Sequence, residues 1–214
     1  MTARHTSARP LPLLLLAIVL LWPAVPAGAQ TLGGTVDQRS RQQVATLFGT
    51  ARAALAAGDG VTLLAQLSRG SLARLEAIRN AARLGGAAPL GGFTPSEKLG
   101  ILGLRRHFTP AELRRLRTSE LIGRGLNTRW LKAETVRAAD LGPVAIAGNR
   151  ASAPVLIEGK PSLAHAEFVR EGGQWRFDLS RTTSTADTLL RVLIQLSGQS
   201  EESYLGRLLE HVRR

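Results

Sequence analysis

Apolar positions in the first part of the chain recur at helical spacing. Val44, Leu47, Phe48, Ala51 and Leu55 follow the i, i+3, i+4, i+7 pattern of one buried stripe. Gly58-Asp59-Gly60 stops that helix. Val61, Leu64 and Leu67 predict a short second helix, and Leu72, Leu75, Ile78 and Ala82 a third. Gly85 to Gly92 reads as a flexible loop. After it, Thr94-Pro95-Ser96-Glu97 and Thr109-Pro110-Ala111-Glu112 each place Thr at a cap, Pro at the first helical position and Glu at the third. Threonine oxygen and glutamate carboxylate then satisfy free amides reciprocally, so both mark helix starts. The helical half is expected to end near Gly125.

The period then changes from helical spacing to alternation. Gly148-Asn149, Gly159-Lys160 and Gly172-Gly173 punctuate three runs, each with the leading glycine that a two-residue hairpin turn favours. Such turns fix a register in which Ile146 faces Ala151, Val144 faces Ala153, Val155 faces Ala164 and Ile157 faces Ser162. Across the last turn, Phe168 faces Phe177 and Ala166 faces Leu179. One face is then apolar, completed by Trp175, and the other collects Ser152, Glu158, His165, Glu167, Arg176, Asp178 and Ser180. A slip by one residue would reverse every side chain and destroy this sorting. Pro154 removes a ladder donor, so a bulge is expected there. Helical spacing returns with Asp187, Leu190 and Ile194 up to Gly198, and Ser200 caps a last helix carrying Leu205, Leu208 and Leu209. The fold class is α+β: N-terminal helices packed on a curved four-stranded antiparallel meander, with additional C-terminal helices.

Two stretches carry a family likeness. Ala57-Gly58-Asp59 closes a helix, and Phe168-Val169-Arg170-Glu171-Gly172-Gly173-Gln174-Trp175-Arg176-Phe177-Asp178-Leu179 closes the meander. Residues 40–180 in this way resemble the nuclear transport factor 2-like superfamily. The resemblance implies a cone of helices against a strongly curved sheet, often with a pocket between them. It assigns no activity, since that superfamily includes isomerases, dehydratases, carriers and adaptors.

The N-terminal residues change where such a domain would work. Arg4 and Arg9, an apolar run from Leu11 to Trp22, Pro23 and Pro26, and the small residues Ala27-Gly28-Ala29 form a secretion leader. The run is too short for a membrane span, which needs roughly 20 residues. The expected organisation is a cleavable signal peptide over 1–29, a loose lead-in over 30–39, the α+β domain over 40–180 and a C-terminal helical extension over 181–214 packed on the same domain. No transmembrane span is expected after cleavage, and the destination is exported, periplasmic rather than extracellular. The chain has no cysteine, so no disulfide or acyl-thioether anchor contributes.

A net charge of +12 would suit an anionic partner. Only Lys98, Lys132 and Lys160 among the 28 basic residues are lysines, a bias that composition alone can produce. Export and the lack of aromatic–basic interleaving argue against nucleic acid. Positive charge concentrates over 101–137, and the anion-binding candidates are Arg105, Arg106, Arg114, Arg115 and Arg117; the competing reading is a solvated helix face.

The apolar sheet face supplies the pocket-lining candidates Val144, Ile146, Ala151, Ala153, Val155, Ala164, Ala166, Phe168, Trp175 and Phe177. Its alanines leave room for an apolar ligand unless helix residues fill it. On the polar face, His165, Glu167 and Asp178 could bind a metal or exchange protons, although alternate positions on an outer face form no cleft. His107 and His211 suit helix ends. The resemblance implies isomerase chemistry only with a pocket carboxylate and tyrosine donors, and the one tyrosine, Tyr204, lies outside the cone. No catalytic residue, cofactor or metal is assigned. The expected function is a non-enzymatic binding domain for an apolar, lipid-like ligand or an anionic envelope component. The alternatives are an isomerase- or hydrolase-like enzyme, which a buried carboxylate such as Asp140 or Asp59 facing an open cavity would favour, and a homodimeric interaction protein.

Overall fold

The structure, a computed structural model, describes residues 35–85, 90–127 and 133–211. The expected leader lies outside these residues. Seven helices precede the sheet among the described residues: α1 (Thr35–Ala57), α2 (Gly60–Gln66), α3 (Arg69–Arg83), α4 (Pro95–His107), α5 (Pro110–Arg115), α6 (Thr118–Asn127) and α7 (Ala133–Ala138). α1 starts within the stretch read as a lead-in, with Asp37 in a first turn whose dipole favours an acid. Both capping boxes form: Thr94 and Thr109 accept the amides of Glu97 and Glu112, whose carboxylates accept back. Asp59 and Ser68 cap α2 and α3.

The sheet is antiparallel and curled, built from β1 (Ala139–Leu141), β2 (Ala145–Ala147), β3 (Arg150–Ile157), β4 (Lys160–Glu171) and β5 (Gln174–Phe177). The five segments fill four positions, because β1 and β2 both pair with the same side of β3. The Gly148-Asn149 and Gly172-Gly173 turns set the expected pairs Ile146 with Ala151 and Phe168 with Phe177.

Three details of the register differ from expectation. The middle turn is Glu158-Gly159 rather than Gly159-Lys160: Glu158 takes φ 51 and Gly159 φ 76, so Ile157 pairs with Lys160, not Ser162. The shift between Pro154 and Leu156 then absorbs the difference, and from Pro154 with His165 onward the pairing is the expected one. Because the shift falls there, Val155 does not pair with Ala164. Second, Val144 does not reach Ala153. The chain leaves the ladder at Gly142, whose amide donates to Pro154 O at 2.8 Å, and β1 continues one residue out of register. A Cβ on Gly142 would meet Pro154 Cγ at 2.7 Å, so a larger residue would not allow this approach. Third, Leu179 does not pair with Ala166. Asp178 instead caps the short helix α8 (Leu179–Thr182), and the Glu167 amide finds Thr182 Oγ1 at 3.0 Å in place of a strand partner.

After α8 come α9 (Ser184–Ser197), ended by Gly198 in the left-handed conformation, and α10 (Glu201–His211). Apolar burial divides into three clusters. Val44 and Leu47 of α1 pack on the sheet with Ala139, Ala151, Val155, Ala166, Phe168 and Trp175. Ala81, Ala82, Ile101, Phe108, Leu113, Leu116 and Leu121 join α3 to α6 and the α4–α5 and α5–α6 connections. Leu99 of α4 meets Leu190, Leu205 and Leu209 of the C-terminal helices. The outer edge of β5 is not left bare: Ser68 donates its amide to Phe177 O at 2.9 Å.

Candidate functional site

The inner sheet face gathers the residues that alternation placed on it. Ala151, Ala153, Val155, Ala166, Phe168 and Trp175 are buried, while Val144, Ile146, Ala164 and Phe177 are half-buried around them. Helix α1 lies over this face through Val44, Leu47 and Phe48. Phe168 and Phe177 meet edge to face with centroids 5.4 Å apart, a geometry that aromatic quadrupoles favour.

One atom in this apolar environment is polar and unanswered. Trp175 is 4% exposed, and its indole Nε1 is buried without a hydrogen-bond partner among the described residues. A buried donor left unpaired forfeits the hydrogen bond it makes to water, about 1–3 kcal/mol. Arg170 stands at the edge, its guanidinium carbon 6.0 Å from the Trp175 ring centroid and its Nε donating to Gly173 O. This orphan donor could not be read from sequence, because it depends on which groups surround the indole.

The arginine candidates divide. Arg105 is half-buried and donates Nη2 to Ala81 O at 2.9 Å, so it closes the end of α3. Arg106, Arg114, Arg115 and Arg117 are exposed. Arg117 lies 3.6 Å from Glu120, and Arg124 lies 3.3 Å from Glu112. The Thr109 amide, then the Thr109 hydroxyl, hold Glu112 below the ordinary carboxylate range, and the Arg117 amide does the same for Glu120.

On the polar face, Glu167 and Asp178 are neighbours through the bond from the Asp178 amide to Glu167 O, 2.7 Å. Their carboxylates do different work, since Asp178 accepts the Arg181 amide as a helix cap. His165 is exposed and stands opposite Pro154, not opposite Ser180. Among the described residues no group of three His, Asp or Glu side chains could hold a metal ion. Asp140 sits on the surface 3.8 Å from Arg52, and Asp59 is exposed at the start of α2, where the Thr62 hydrogen bond keeps its pKa low. Neither is the buried carboxylate that would favour an enzymatic pocket.

Two surface features escaped sequence reading. A cleft of about 210 Å³ is lined by Leu64, Leu67, Leu72, Arg69, Glu171 and Arg176. Its polar groups serve the fold: Glu171 accepts the Arg69 amide, and Arg176 donates to Ala65 O. The second is the outer side of α9, where Val192, Leu193 and Leu196 are 47%, 38% and 78% exposed. Its signal was present, since this helix is apolar on both sides. No described helix is long and apolar enough to cross a membrane.

No family model matches the chain, and comparison with curated proteins and with solved structures gives no match.

Proposed function

We propose that this chain is an exported, non-enzymatic binding domain that carries an apolar, lipid-like ligand bearing one hydrogen-bond acceptor. The observation that carries the reading is the orphan Trp175 Nε1 within the apolar inner face. Ligand sites of this kind pair apolar walls with few polar groups, and a carbonyl or ester oxygen would satisfy the indole. The small side chains of Ala151, Ala153, Ala164 and Ala166 would form the ligand's walls, and Phe48, Val144 and Ile146, half-buried around them, would form its rim. We read the α+β architecture as a nuclear transport factor 2-like cone, the periplasm as its compartment, and residues 1–29 as the removed leader.

The test is native mass spectrometry with organic extraction of protein purified from the compartment to which the leader sends it. Wild type is expected to carry an extractable apolar molecule, and Trp175→Phe to lose most of it while remaining folded. Protein that extracts clean overturns the reading. A second reading rests on the exposed Val192, Leu193 and Leu196: an envelope protein or a second copy covers α9. A stable protein complex, lost on Leu196→Ser and free of small ligand, would replace the first reading by this one.

A further inference from the structure

The C-terminal ends of three helices are drawn together beside one apolar cluster. Arg105 of α4 reaches the carbonyl of Ala81 near the end of α3, and Arg79 of α3 donates Nη2 to Leu116 O, the cap of α5, at 2.7 Å. Beneath them lie Ala81, Ala82, Phe108, Leu113 and Leu116. Each of these helices carries basic residues in its last turn: Arg83 on α3, Arg105 and Arg106 on α4, Arg114 and Arg115 on α5.

One cation near each end would answer the helix dipole. The ends of α4 and α5 hold two arginines each, and only Arg105 is engaged with the fold. Arg83, Arg106, Arg114 and Arg115 are exposed; the charge of Arg115 acts on the Glu112 carboxylate, and Arg83, Arg106 and Arg114 make no hydrogen bond or ion pair among the described residues. The nearby acids are already held, Glu112 by its capping box and Arg124, and Glu120 by the Arg117 amide and side chain. Beside Arg83 stands Leu84, 63% exposed. The described part of this surface is therefore a set of exposed guanidinium groups with a protruding leucine.

We propose that the ends of α3, α4 and α5 form a docking surface for anionic phospholipid membranes. Guanidinium groups recognise phosphate by charge and by paired N–H donors. Juxtaposed basic residues are attracted to an anionic leaflet, and a leucine can enter the boundary between headgroups and acyl chains. A hydrated polyanion would have no use for Leu84. Single-stranded nucleic acid would need exposed aromatic rings, whereas Phe108 is 6% exposed and Phe93, half-buried against the same cluster, is covered by the Arg74 guanidinium. The surface is separate from the inner sheet face, so membrane docking and ligand carriage can fail independently.

The experiment is cosedimentation of the mature chain with phosphatidylcholine vesicles, with and without phosphatidylglycerol. Binding is expected only with phosphatidylglycerol and is expected to disappear in molar salt, where screening shortens to about 3 Å. Arg106→Glu combined with Arg114→Glu and Arg115→Glu should reduce partitioning on the order of five-fold or more per arginine. The matched control, Arg150→Glu with Arg181→Glu and Arg191→Glu, changes net charge equally on other surfaces and should leave most binding intact. Leu84→Ser should weaken vesicle binding without changing the melting temperature. Equal losses in the two triple variants would overturn the proposal in favour of net charge alone. Release by millimolar inorganic phosphate would overturn it in favour of a free-anion site. Tighter binding to heparin that ignores Leu84→Ser would overturn it in favour of a polyanion.

Discussion

The Asp187 carboxylate accepts the backbone N–H of Ser96 at 2.8 Å, and the two residues are 4% and 5% exposed. This bond fastens α9 to the first turn of α4, whose free amides and dipole favour an acid. Leu99 then packs with Leu190, Leu205 and Leu209, and Lys98 pairs with Glu201. The C-terminal helices are thus part of the core rather than an appendage. Asp187→Ala strands a buried amide and should cost about 1.5–3 kcal/mol. In thermal denaturation that is a fall of roughly 4–10 °C. Asp187→Asn, which keeps an acceptor, should lose less. An unchanged melting temperature for Asp187→Ala would mean that α9 contributes nothing to holding α4.

Two glycines in helices should respond oppositely to the same substitution. A Cβ on Gly60 would lie 2.1 Å from Ser119 O, so α2 and α6 approach through backbone. Gly60→Ala must push those helices apart, and overpacking of this kind costs about 1–3 kcal/mol or more. A Cβ on Gly49, inside α1, meets nothing within 4 Å among the described residues. Gly49→Ala should instead stabilise by roughly 0.5–1 kcal/mol, since glycine loses the most backbone entropy in a helix. Urea denaturation of the pair checks both signs.

The elements that sequence reading placed well are those whose signals are local. Thr94 and Thr109 announce α4 and α5 within four residues, and Gly148-Asn149 and Gly172-Gly173 fix two registers from the turn outward. Alternation also brought Ala151, Ala166, Phe168 and Trp175 onto one face. β1 is three residues long, too short for any period, and is defined by its pairing with Val155, Leu156 and Ile157 of β3. Leu179 continues the alternation in sequence, but Asp178 caps a helix that starts there. Arg105 and Arg106 look alike in the chain, and only packing against Ala81 separates a structural arginine from a surface one.

Acid should weaken the fold through Glu97. Burial raises the pKa of this carboxyl, but hydrogen bonds from Arg74 and Thr94, with the Arg74 charge, outweigh that effect and leave it lowered. Arg74 holds it through Nε and Nη2, the latter at 2.6 Å, while its guanidinium carbon lies 4.9 Å from the Phe93 ring centroid. A depressed folded pKa means stability is fully present above the unfolded value of 4.5 and is lost as pH falls through the folded one. The urea midpoint should therefore hold steady down to about pH 5 and decline below it. Asp59, Glu112 and Glu120 are lowered too, so Glu97→Gln should make the acid slope shallower without removing it. A slope unchanged by Glu97→Gln would show that the pair does not couple to folding.

The turn between β3 and β4 holds the described non-glycine residue with positive φ, Glu158 at 51°. A two-residue turn of this kind needs left-handed backbone at both positions, which asparagine tolerates better than glutamate and glycine tolerates best. Gly159 already supplies the second position at φ 76. Glu158→Asn should therefore stabilise by up to about 1 kcal/mol, a rise of roughly 2–4 °C in melting temperature. The same change tests the register, because it helps only if residues 158 and 159 are the turn. If Gly159 and Lys160 formed it, Glu158 would be a paired strand residue, and asparagine, a poor strand former, would lower the melting temperature. Lys160→Asn separates the two arrangements further: it should be neutral or mildly harmful here, where Lys160 pairs with Ile157. A gain from Lys160→Asn with a loss from Glu158→Asn would move the turn by one residue and cancel the shift between Pro154 and Leu156.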